Sequence, residues 1–249
     1  MSHPPLNAFE QFNPAPPRPT KGPIATKATK GGWRLVLLTG LLMMGPMLGC
    51  GLTAPNYVVP RYAAETAPGA GTAVQVAAPL DARHFTNANT RGPVPTLRGD
   101  AQDSALTARV VGRMPVTMET LGANVELPPE ESVSAWVQKA LVQGLREAGL
   151  DAQPASTGHS GPELQATIVS FWLNVRNSPG PSVVVYRAEI ELTGDLQRFR
   201  EGRTVTANGS VSQIGLNYAL FRKSFDAALQ AIAQSTAQTA VPGTPLPTN

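Results

Sequence analysis

Two stretches of the chain repeat their apolar residues every third or fourth position, and several others alternate them. Val133, Trp136, Val137, Ala140, Leu141, Gly144, Leu145 and Ala148 fall on one helical face, which predicts a helix over 132–148. Pro129, Glu130 and Glu131 suit its first turn, because proline tolerates that place and acids complement the helix dipole. Gly149 suits its C-terminal cap. A second stripe, Phe221, Phe225, Ala228, Leu229, Ile232 and Ala233, predicts a helix from about Asn217 to Gln238.

Period-two patterning fills the segment between them. Residues 164–175 read as a strand with apolar residues on both faces around Phe171 and Trp172, and so as a central one. After the turn Asn177-Ser-Pro-Gly-Pro181, Tyr186, Ala188, Ile190 and Leu192 point one way and Arg187, Glu189 and Glu191 the other. That is an antiparallel strand with one wet face, continuing to about Phe199 with a bulge or bend at Gly194. A turn at 200–203 leads to a strand over 204–214. Upstream, 73–77 is a short strand with Val74 and Val76 on one face, and 106–111 and 115–119 are weaker strands. Trp136 and Trp172 read as core, and Asp81 with Arg83 as a structural ion pair at a sheet or helix end. The fold class is therefore α+β: an antiparallel β-sheet with two amphipathic helices packed on one face.

One apolar segment has neither period. It runs from Leu35 to the only cysteine, Cys50, behind the bases Lys21, Lys27, Lys30 and Arg34. It is too short and too broken by Gly40, Gly45 and Pro46 to be a spanning helix, which needs about 20 apolar residues. Small Gly49 precedes the cysteine. The pattern resembles a bacterial lipoprotein signal, with Met47 where such signals usually carry leucine and an unusually long leader over 1–33. The resemblance implies cleavage before Cys50, diacylglyceryl modification of its sulfur, and an anchor firmer than one acyl chain provides. Gly51 follows, with no aspartate to suggest inner-membrane retention, so the expected place is the periplasmic face of the outer membrane.

The expected organisation is a signal peptide over 1–49, a Pro/Gly-rich lipidated tether over 50–72, one domain over 73–238 and a disordered tail over 239–249. This division changes the reading of charge. Five of the 20 bases and one of the 17 acids lie in 1–49, which leaves 15 bases against 16 acids, a net −1. The basic excess belongs to the leader, and no nucleic acid is expected as partner. Arg198, Arg200 and Arg203 read as a solvated turn. One cysteine precludes internal disulfides, so the domain relies on its core.

The usual catalytic patterns do not assemble. His3 is in the leader, and His84 and His159 are isolated, so metal-ligand spacing fails. Gly158-His-Ser-Gly161 is not a nucleophile elbow, since it precedes a strand. Gly69-Ala-Gly71 lacks the rest of a phosphate loop. Glu130 and Glu131 diverge on a helix, and Glu189 and Glu191 read first as a solvated sheet face. No catalytic residue, metal or cofactor is expected. Arg187, Glu189 and Glu191 are the candidate interaction face.

The order of elements also resembles the YajG-type envelope lipoproteins. The likeness rests on the lipobox, the valine strand ending near Asp81-Ala-Arg83, the helix closing on Gly149, the paired strands, the Gly202 turn and the terminal helix. It implies a non-enzymatic envelope protein and transfers no site residue. Two readings follow: a lipid-tethered module docking on an envelope protein, with a homo-oligomer through a sheet edge or face as one form, and a ligand-binding accessory of an envelope transport or lipid-trafficking system, which calls for a crevice between helices and sheet.

Overall fold

The computed structural model describes residues 57–64, 71–89, 94–117, 119–156, 161–176 and 180–241. The chain divides into Met1–Cys50 and Gly51–Asn249, and the described residues all belong to the second unit. Cys50, His159 and the tail beyond 241 lie outside them.

The spine of the sheet is β6, Glu163–Arg176. Along one edge it pairs antiparallel with β7, Ser182–Gly194, which pairs antiparallel with β8, Arg203–Gln213. Along its other edge it takes three short parallel partners in succession. These are β1 (Ala73–Val76) beside Glu163 and Leu164, β2 (Leu80–Asp81) beside Thr167 and Ile168, and β3 (Val110–Pro115) beside Leu173. Beyond β1 lies β5 (Asp151–Pro154), parallel to it, and beyond β3 lies β4 (Leu121–Glu126), antiparallel to it.

The α+β class holds, with the sheet mixed where an all-antiparallel one was expected. The long hairpin strands are antiparallel because tight turns join them. β1, β2, β3 and β5 pair in parallel because helix and loop crossovers return the chain to the same end, while β4 returns beside β3 through a short connection and is antiparallel. The weaker strands also moved. The chain makes one helical turn, α1, at Ser104–Thr107, and its strands fall at Val110–Pro115 and Leu121–Glu126.

The two long helices, α2 (Val133–Glu147) and α3 (Tyr218–Ala240), cover one face of the sheet as expected. Ser132 and Asn217 cap them, accepting from the N–H groups of Ala135 and Leu220. Glu130 and Glu131 thus precede the helix, and Glu131 accepts a hydrogen bond from the Trp136 indole. Gly149 adopts φ +86° just past α2, the left-handed conformation its place predicts. Between the layers Phe225 packs against Phe171 (5.3 Å) and Trp136 (6.5 Å), with Val137, Leu141, Leu145, Phe221 and Leu229 wholly buried. Each such side chain contributes at most about 1.5–3 kcal/mol.

Three boundaries differ from expectation. Helix α3 runs on to buried Ala240, so the tail does not begin at 239. Strand β7 stops at Gly194, where an added Cβ would lie 2.4 Å from the Glu163 carbonyl, and a 3₁₀ turn at Gln197–Phe199 follows. The packed unit also reaches upstream of residue 73. Val58 is buried and its N–H donates to Glu126, while the N–H groups of Arg61 and Tyr62 donate to Asp226 Oδ1. The stretch 57–62 is thus a clasp across β4 and α3, so free tether does not extend over it.

Candidate functional site

The helix-free face of the sheet carries the groove. A β-bulge sets which side chains reach it. In β6, Leu164, Ala166 and Ile168 face the helices, Val169 is inserted between Ile168 and Ser170, and Phe171, Leu173 and Val175 then face the helices. Ser170, Trp172 and Asn174 therefore stand on the opposite face. The apolar residues on both sides of this strand are explained by the bulge, and Trp172 is not core: it is half-buried on the outer face.

Register across three strands aligns the rest. Trp172, Arg187 and Asn208 form one row, Ser170, Glu189 and Thr206 the next, and Thr167, Glu191 and Thr204 the one after. Val94, Pro95 and Thr96 stand over the first two rows and close a groove of about 720 Å³. Arg187 and Glu189 line it, and Glu191 lies one row outside.

Two buried arginines fix that arrangement. Arg83 grips the Asp81 carboxylate with Nε and Nη2, each at 2.8 Å, and donates to the carbonyls of Val110, Thr107 and Phe171. It fills the interval along β6 between the footholds of β2 and β3. Its guanidinium lies 5.1 Å from the Phe85 ring, and Phe85 packs edgewise on Trp172 at 5.8 Å. The ion pair read from the sequence thus seats the indole of the groove.

Arg113 holds the roof. It donates to the carbonyls of Ala88 (2.6 Å), Leu121 (3.1 Å) and Gly122 (2.5 Å), and reaches Thr96 Oγ1 at 3.5 Å. Burial, with Arg98 nearby, lowers its pKa from the ordinary arginine value. The bonds Thr86 N–H to Pro95 and Leu97 N–H to Thr86, and the exchange between Arg98 and Asn124, complete a tied-down loop. Sequence periodicity missed this roof because an isolated bridge between Thr86 and Thr96 and the Arg113 side chain hold it, with no run of alternating residues in a strand ladder.

The remaining candidates do not converge. His84 is exposed, and among the described residues no group of three His, Cys, Asp or Glu side chains could hold a metal. Arg200 and Arg203 donate to carbonyls of their own turn, at Asp195 and Arg198. Among the described residues no helix is long and apolar enough to cross a membrane.

No family model matches the chain, and no curated protein matches it. Among solved structures it is similar to a Xanthomonas campestris protein of family DUF330, at 12% identity over 72% of this chain and 89% of that one, with a TM-score of 0.41. It is also similar to a minor lipoprotein from Acinetobacter baumannii, at 17% identity over 44% of this chain and 85% of that one, with a TM-score of 0.31. These likenesses carry no argument about activity, and they do not establish YajG-type membership.

Proposed function

We propose that this protein is a non-catalytic binding module of the bacterial envelope, lipidated at Cys50, held at the periplasmic face of the outer membrane, and working through the groove on its outer sheet face. The supporting observation is that groove: a concavity of about 720 Å³, within the usual range of ligand sites, about 300–1,000 Å³. Arg113 ties the lining residues Leu121 and Thr96, and Arg83 backs Trp172 through Phe85, which supports a concavity preformed for a ligand.

The docking reading uses this surface directly, whereas the accessory reading calls for a crevice between helices and sheet, which core side chains fill, so its ligand would move to this groove. Docking on an envelope protein would place a partner segment over Arg187 and Glu189. The accessory reading would place a small ligand there, in the half-open groove that Val94–Thr96 help to line. The test is photocrosslinking in cells, with a photoreactive residue replacing Glu189 and, as control, exposed Gln230 on the helical side. Adducts at 189 and none at 230 support the reading. Equal yields, or none at 189, overturn it.

A further inference from the structure

We infer that the groove is a saccharide site, an inference that rests on the groove being the working surface. A sugar ring offers an apolar C–H face and a rim of hydroxyls that each donate and accept. Its recognition calls for an aromatic side chain beside planar groups of both hydrogen-bonding polarities. The groove has that composition in register. Trp172, Arg187 and Asn208 form one row across the three strands, with Glu189 and Ser170 in the next and Asn174 beside Trp172.

These polar groups are uncommitted. Arg187, Glu189, Asn174, Asn208 and the Trp172 indole make no side-chain hydrogen bond or ion pair within the described residues. Ser170 Oγ is buried with no partner, an arrangement native structures rarely leave without a ligand or water. The contrast with Arg83 and Arg113 is direct: the arginines that build the fold are saturated by carbonyls, whereas Arg176 and Arg187, which line the groove, make no such bonds within the described residues.

Other ligand chemistries fit less well. A wholly apolar ligand would leave Ser170 and Glu189 desolvated without partners. A compact phosphate would find Arg176 and Arg187 but would also meet the Glu189 carboxylate, and it would leave the Trp172 ring uncovered. Among the described residues Glu189 is the one carboxylate that lines the groove, and it offers an acceptor to a sugar hydroxyl.

The test uses the full chain in a detergent without a sugar headgroup, titrated separately with chitotetraose, maltotetraose and tetragalacturonate. Intrinsic fluorescence and calorimetry are read together. At least one sugar should bind saturably with a blue shift that Trp172→Phe abolishes. Arg187→Ala and Glu189→Gln, at exposed positions, should each weaken binding at least about tenfold. Binding that both variants leave unchanged overturns the inference, because the sugar then sits elsewhere. No binding up to about 10 mM, weaker than any useful site, also overturns it. If crosslinking at 189 persists in that case, the groove reading stands and only the ligand class falls. If crosslinking is absent too, both fall.

Discussion

Asp81 and Arg83 hold each other through two contacts of 2.8 Å, with the arginine side chain only 2% exposed. The pair lies where β2 ends and β3 has not yet met β6, so its bonds replace strand pairing that the backbone does not supply.

Removing one partner should therefore be costly. Arg83→Ala is expected to destabilise by about 2–4 kcal/mol, because it leaves part-buried Asp81 unpaired and the carbonyls of Val110, Thr107 and Phe171 without their donor. Arg83→Lys should not restore the loss, because one ammonium cannot span Asp81 and three carbonyls. The urea midpoint checks both. Trp172 emission should shift red in each, since Phe85 loses its support.

The crossing of α2 and α3 depends on Gly144. A Cβ there would stand 2.2 Å from the Ala233 carbonyl and 2.7 Å from Thr236 Cβ. Gly144→Ala gains helix propensity yet should still cost about 1–3 kcal/mol, because the helices must part. Thermal unfolding of the variant checks the sign, and a stabilised protein would show that this crossing gives way easily.

Asp226 gives the clasp a pH signature. Burial raises its pKa above the ordinary aspartate value, against the lowering effect of the Arg61 and Tyr62 N–H groups, Arg222 and Arg61. The folded state therefore holds the extra proton between the ordinary and the raised value. Stability from this group falls as pH climbs through that window, starting near pH 4, and is level above it. Asp226→Asn keeps the acceptor and should remove that fall. Asp226→Ala loses the tie and should cost about 1–3 kcal/mol at neutral pH. Urea titrations across the window compare the three proteins. Tyr62, whose pKa burial and Glu147 push up to about 12, stays neutral throughout.

Legibility in the sequence followed the range of the forces involved. The stripe from Val133 to Ala148 and the alternation from Tyr186 to Leu192 are local signals, and both elements formed where they pointed. Asp81 and Arg83 are two residues apart, and their pairing was readable as well. The parallel partners of β6 were not, because two-residue β2 and the single Gly112–Leu173 pairing are chosen by tertiary contacts. Trp172 was misplaced because the extra residue Val169 reverses the alternation halfway along the strand. The alternation points to Arg187, Glu189 and Glu191 as one face, of which Arg187 and Glu189 line the groove and Glu191 does not. The roof that makes them a groove depends on Arg113 reaching Ala88, 25 residues away, which no local pattern records.

The envelope assignment meets its most direct test in the intact mass of the protein extracted from membranes. The account predicts a chain that begins at Cys50 and carries the mass of a diacylglyceryl group, with or without a further acyl chain. A chain that retains residues 1–49 and an unmodified thiol would contradict it.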